Sequence, residues 1–168
     1  MKYATPLLIT ASLGLAGCAK KPPEVLPPAP VGTAPTPAPT APAGPGYAMG
    51  SQEDFLANTM SDRVLFDTDR FNIDPRDQAI LQSQAQWLAQ NQNAQITIEG
   101  HADERGTRDY NLALGERRAN AAKNYLASLG VSPTRMTTVS YGKERPEALA
   151  SNESAWAQNR RAVSVVIR

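Results

Sequence analysis

Ten of the 14 prolines fall between Pro22 and Pro45, interleaved with Ala, Thr and Gly, and no charged residue occurs from position 25 to 52. A stretch of this composition carries too little apolar surface to offset the entropy of ordering it, so it builds no core of its own. Its prolines favour an extended polyproline path at about 3.1 Å per residue, which gives residues 19–52 a reach on the order of 100 Å. The segment reads as a disordered, semi-rigid tether, although a linker with no required length fits its composition as well. Folding is thereby confined to residues 53–168, the size of one ordinary domain with a single hydrophobic core.

Ahead of the tether, Lys2 precedes a short apolar run that ends in Leu15-Ala16-Gly17-Cys18. The run is too short to span a bilayer, and its positive start and small residues at the far end describe a secretory signal peptide over residues 1–17. Cys18 is the only cysteine, so an exported chain of this kind closes no internal disulfide. The Leu-Ala-Gly-Cys sequence resembles the bacterial lipobox. That resemblance implies acylation of Cys18 as the first mature residue and, because Ala19 is not Asp, an outer-membrane protein that is lipid-anchored and faces the periplasm. An ordinary signal peptide with an incidental cysteine is the plainer alternative. Each buried acyl methylene contributes about 0.8 kcal/mol, so several chains anchor firmly.

Charge and composition exclude several classes. The formal net charge is +1, with no basic stripe, which disfavours nucleic acid or an acidic membrane surface as partner. Aromatics are sparse, against a base-stacking platform. There is one histidine, no second thiol, no Gly-rich phosphate loop and no His/Cys pair at metal-ligand spacing, so no cofactor or metal is expected. His101 beside Asp103 and Glu104 makes at most half of an acid/base or metal site, and reads more simply as a satisfied turn residue. A wall hydrolase using Asp103 or Glu104 is the enzymatic alternative.

Periodicity supplies the fold. Residues 63–66 suggest a short strand, and Asp74-Pro75 opens a helix carrying Ile80, Leu81, Ala85 and Leu88 on one face. Residues 95–99 alternate as a half-buried strand, with Ile96 and Ile98 inward. Leu112, Ala119, Ala122, Leu126 and Leu129 recur at helical spacing over 107–129, and Gly130 stops that helix. Residues 137–141 form a third strand, 154–159 a short helix, and 162–167 an apolar, β-branched run suited to a central strand. The order βαβαβ-(α)-β predicts a two-layer α/β sandwich with its helices on one face of a four-stranded mixed sheet.

The segment from Gly100 to Asn120 holds eight charged side chains of both signs around a strand-to-helix junction. If the loop folds back along the helix, the Asp103 carboxylate and the Arg118 guanidinium face one pocket. A carboxylate offers acceptors and a guanidinium a planar fork of donors, so the pair suits the ammonium and carboxylate of an amino acid. A solvated helix face with loose ion pairs, each worth about 0 to 1 kcal/mol, accounts for the same pattern.

These residues resemble the binding motif of the OmpA-like, peptidoglycan-associated family, and its lipoprotein branch in particular. The likeness extends from residue 63 to 168. It runs through Val64-Leu65-Phe66-Asp67, the 100–120 segment with Asn111, Leu114, Arg118 and Ala119, Ser140-Tyr141-Gly142-Lys143-Glu144-Arg145-Pro146 and Asn159-Arg160-Arg161-Ala162-Val163. The resemblance implies that Arg118 takes the carboxylate of meso-diaminopimelate in the wall's stem peptide and Asp103 its ammonium. It places Phe66 and Asp67 at the pocket from the first strand, with Thr107, Asn111 and Leu114 shaping it. The 67–73 segment departs from the family pattern, leaving the second acidic contact open between Asp67 and Asp69. Adjacent helix residues point about 100° apart, so of Arg117 and Arg118 only one faces the pocket, and the motif register selects Arg118. The resemblance further implies a non-catalytic anchor between outer membrane and wall, a Tol-Pal role in envelope integrity and cell division, and TolB as partner. A wall-binding lipoprotein of the same fold outside the Tol system is the alternative.

Overall fold

The computed structural model describes residues 46–167. The expected signal peptide, the Cys18 lipidation site and most of the expected tether lie outside the described residues. Eight elements and one 3-10 turn follow in order: α1 (Gln52–Asn58), β1 (Arg63–Leu65), α2 (Pro75–Gln90), β2 (Gln95–His101), α3 (Arg108–Ser128), the turn Pro133–Arg135, β3 (Met136–Gly142), α4 (Glu153–Asn159) and β4 (Arg161–Ile167). The sheet order is β1-β4-β2-β3, with β2 and β3 parallel and β4 antiparallel to both of its neighbours. This is the mixed α/β sheet expected from the sequence, and the apolar run of β4 does occupy an interior position.

Local chemistry starts and stops the helices. Asp74 Oδ1 accepts the main-chain N–H of Asp77 at 2.8 Å, and Pro75 fills the first helical position of α2. Thr107 Oγ1 accepts from Tyr110 N at 3.3 Å and opens α3. At the other end of α3, Gly130 at φ +95° lets Val131 N reach Leu126 O (3.1 Å) and Gly130 N reach Ala127 O (3.0 Å), a Schellman closure. The core lies between α2, α3 and one sheet face, where Ile80, Leu81, Leu88, Ala119, Ala122 and Leu126 meet Val64, Ile96, Ile98 and Ala162. Gln84 is also fully buried, satisfied by Ser61 O (2.8 Å) and Ser164 Oγ (2.9 Å).

One helix was not anticipated. The expected tether reaches residue 52, yet Ser51 caps α1 and Gln52 begins it. Phe55 is buried edge-on against Trp87 at 5.0 Å, and Gln52 Oε1 accepts from Val166 N at 2.7 Å. The helix is too short to be stable by itself and owes its formation to these contacts.

Two glycines fix the seating of α3 on the sheet. A Cβ at Gly100 would collide with the main-chain carbonyl of Gly115, and one at Gly115 would collide with Ser140 Oγ. Ser140 Oγ meanwhile donates to Leu112 O at 2.7 Å, tying β3 to the helix. Gly100→Ala should therefore force the two elements apart and destabilise the domain by about 3 kcal/mol, read as a lowered urea midpoint at unchanged slope.

Asp77 is 3% exposed; its Oδ1 accepts from Leu65 N on the outer edge of β1 at 3.3 Å while Oδ2 has no partner. Burial raises its pKa to about 6, with Asp74 adding and the Leu65 N–H and Arg76 opposing. A carboxyl raised in the folded state holds its proton more tightly there than in the unfolded chain, so its contribution is complete at low pH and is lost as pH rises through about 4 to 6. Asp77→Asn should stabilise the domain relative to wild type by on the order of 2 kcal/mol more at pH 7.5 than at pH 4, measured by urea unfolding at both.

Candidate functional site

A cavity of about 280 Å³ opens where the loop after β1, the loop after β2 and the first turns of α3 converge. From the first loop come Thr68 and Asp69, from the second Asp103, Arg105 and Gly106, and from the helix Tyr110, Asn111, Leu114 and Arg118. Asp69, Asp103, Asn111, Leu114 and Arg118, five of the residues singled out in the sequence, thus share one cavity. Phe66, Asp67 and Thr107 do not line it.

Arg118 is the largest fully buried side chain of the described residues, at 0% exposure. Its Nε donates to Arg70 O (2.9 Å), Nη1 to His101 O (2.8 Å) and Nη2 to Asp67 O (3.0 Å). A guanidinium carries five N–H groups, so one remains on each terminal nitrogen. Phe66 lies behind it, ring centroid 5.2 Å from Cζ, as a cation–π floor that never reaches the cavity. Burial pushes Arg118 down to about 10, Arg160 adding to this and Asp103 and Asp69 opposing it, so it stays charged at neutral pH. Among the described residues no carboxylate forms an ion pair with it. Arg117, by contrast, is exposed, 5.8 Å from the Phe71 ring.

Asp103 is 7% exposed. Burial by itself would raise its pKa, but hydrogen bonds and charge from Arg105, with Arg160 behind, hold it below the usual carboxylate range. Arg105 and Arg160 were not assigned a role from the sequence, although Arg160 belongs to the quoted Asn159-Arg160-Arg161 motif. That motif divides its work. Asn159 Oδ1 accepts from Glu147 N and Ala148 N (2.8 and 3.0 Å) and staples the loop after β3. Arg160 Nε donates to Phe66 O at 2.9 Å and Nη1 stands 3.5 Å from Asp103 Oδ2. Arg161 Nε lies 3.1 Å from Glu147 Oε2.

The two acids left open after β1 occupy different places. Asp67 contributes its main-chain carbonyl to Arg118 and its side chain lines a separate groove beside Phe66 and Asn72. Asp69 is the one non-glycine residue among those described with positive φ, +56°, and its Oδ1 accepts from Tyr110 OH at 3.1 Å over the cavity. A short polar side chain tolerates this left-handed conformation, and the turn aims it inward. The 103–106 loop is pinned from both sides: Lys143 Nζ donates from outside to Glu104 O (3.1 Å) and Gly106 O (2.6 Å), and Asn111 Nδ2, at the cavity, donates to Arg105 O (2.7 Å).

His101 is not the satisfied turn residue expected. It ends β2 with its ring 2% exposed and neither nitrogen making a full hydrogen bond, and burial, with Arg161 and Arg145 adding, pushes its pKa down to about 4. Its part in the site is its carbonyl, held by Arg118. An NMR titration should find the ring neutral and unshifted from pH 7.5 to pH 5.5.

The chain has clear relatives. Residues 65–160 match the OmpA family. A peptidoglycan-associated lipoprotein of Rhizobium meliloti is 52% identical over 95% of this chain and 85% of its own length, and that of Agrobacterium fabrum 50% over the same shares. The crystal structure of the peptidoglycan-associated lipoprotein from Burkholderia pseudomallei superposes with a TM-score of 0.63 at 46% identity, covering 67% of this chain and 93% of that one. Identity at this level, over nearly the whole length and on the same sheet and helices, means that the chain belongs to the OmpA family and, within it, to the peptidoglycan-associated lipoproteins.

Proposed function

We propose that this protein is a non-catalytic anchor that binds peptidoglycan through meso-diaminopimelate and holds the outer membrane to the wall. The observation that carries this reading is Arg118, a buried cation with no ion-paired carboxylate among the described residues, at the same cavity as two acids, Asp103 and Asp69. An amino-acid head group meets that demand. Its carboxylate takes the two remaining N–H groups of Arg118, and its ammonium lies between the acids. Asp69, not Asp67, is the second acidic contact in this assignment, while Leu114 and Tyr110 wall the aliphatic part. Phe66 and Thr107 act from behind, one under the guanidinium and the other as the cap of α3.

The remaining parts follow from the sequence. Acylated Cys18 fixes the protein to the inner leaflet of the outer membrane, in the periplasm, and the Pro-rich segment sets its reach. Many copies rebinding locally give firm attachment from individually weak sites. The names of the relatives support the lipoprotein and wall-binding elements of this reading. Service in the Tol-Pal system during envelope constriction, with TolB as protein partner, completes it.

Co-sedimentation of the full chain with purified sacculi is the test, with released muropeptides assayed in the supernatant. Asp103→Ala and Arg118→Ala should each lose pelleting, because stranding a buried charge-assisted partner costs about 2 to 5 kcal/mol, while Arg117→Ala binds nearly as wild type and nothing is released. Since Arg118 also braces the fold, circular dichroism must show the variant folded. Equal losses in Arg117→Ala and Arg118→Ala, or soluble fragments, would overturn the assignment. Asp69→Asn, which keeps the turn-compatible shape and removes only charge, should weaken pelleting more than Asp67→Asn does.

A further inference from the structure

Of the two ligand-binding groups, Arg118 keeps free donors toward the cavity, whereas Asp103 is closed in this structure by a neighbour. Arg105 Nη2 donates to Asp103 Oδ2 at 2.6 Å, its Nε to Oδ1 at 3.2 Å and its main-chain N–H to Oδ1 at 3.1 Å. With Arg160 at 3.5 Å on the inner side, the carboxylate has little acceptor capacity left for an incoming ammonium. The two arginines differ in freedom. Arg160 has its side chain 7% exposed and bonded to Phe66 O, whereas the Arg105 side chain is 40% exposed. Arg105 also reaches Thr68 Oγ1 at 3.3 Å, bridging the two loops that form the cavity mouth. Its guanidinium lies over Trp156, Cζ 4.3 Å from the ring, and Trp156 is itself held by Nε1 donating to Glu104 Oε1 at 2.9 Å.

We propose that Arg105 is a specificity-determining residue, a resident cation on Asp103 that the ligand's ammonium must displace from that carboxylate. This rests on the diaminopimelate reading above and deepens it. A ligand carrying both charges exchanges one cation for another on Asp103 and opens the Thr68 bridge. A ligand with a carboxylate alone leaves the Arg105–Asp103 pair shut and gains only the contact to Arg118. Selectivity for a zwitterion over a simple carboxylate is thus enforced by competition inside the site, at the cost of some affinity. Trp156 already underlies the guanidinium, so it can slide off Asp103 across the ring without losing that contact, and the exchange needs a side-chain movement and no refolding of the loop.

Calorimetric titration of the full chain with L-Ala-γ-D-Glu-meso-diaminopimelate, and with the same tripeptide carrying 2-aminopimelate so that the distal ammonium is missing, separates the outcomes. Arg105→Ala should bind the diaminopimelate peptide roughly two- to fivefold more tightly, the scale of one lost exposed ion pair. The deamino peptide should bind this variant no better than it binds wild type. Arg105→Lys, which keeps a cation on Asp103, should stay close to wild type. Weaker or unchanged binding of the diaminopimelate peptide by Arg105→Ala would overturn the inference, making Arg105 a ligand contact or a bystander. Equal tightening of both peptides would also overturn it, showing a mere steric plug. If wild type binds neither peptide, the wall reading falls and this inference with it.

Discussion

A single buried guanidinium on α3 holds three main-chain carbonyls from two stretches of chain far apart in sequence. Arg118 bonds the carbonyls of Asp67 and Arg70, which bracket the turn after β1, and the carbonyl of His101, which ends β2. Main-chain dipoles make a buried cation tolerable without cancelling its charge, and the uncancelled part faces the cavity. The same device occurs at Arg135, whose three donors hold the carbonyls of Leu88, Asn91 and Ala94 where α2 ends. That arginine closes a helix end away from the cavity. The contrast shows how one residue type is structural in one place and receptive in another, according to whether its remaining donors look into a cavity.

Arg118 reaches its partners only because α3 lies unusually close to β2. The glycine pair Gly100 and Gly115 removes the side chains that would separate helix and strand, and Ser140 clamps the far side. Binding chemistry and core packing are therefore one problem. The same contact that seats the helix also sets the depth of the guanidinium.

Much of this was legible in the sequence, for identifiable reasons. The α2 and α3 apolar stripes, the Asp74-Pro75 start and the Gly130 stop all act locally, within a few residues of where they are read. Asp103 and Arg118 were legible as a pair because a long, ordered motif carried them. What escaped depends on contacts distant in sequence. Helix α1 has little apolar periodicity of its own and forms on Trp87 and Val166. The different placement of Asp67 and Asp69 depends on a left-handed backbone at Asp69 that no side-chain pattern announces. Arg105 and Arg160 have no legible role until the loops fold and bring them to one carboxylate. His101 was misread because its importance lies in its carbonyl, and main-chain atoms leave no trace in residue type.

The unanticipated helix also decides where mechanical load enters. The chain preceding residue 46 joins the domain through α1, and α1 is bonded by Gln52 to Val166 on β4, an interior strand flanked by β1 and β2. Tension from that side enters β4 at Val166, past the residues paired with β1 and opposite Ile96 of β2, so it loads the longer β2–β4 ladder, whereas a pull on β1 would peel a three-residue edge one bond at a time. The first strand to carry a load arriving through α1 is therefore an interior one and not the short edge.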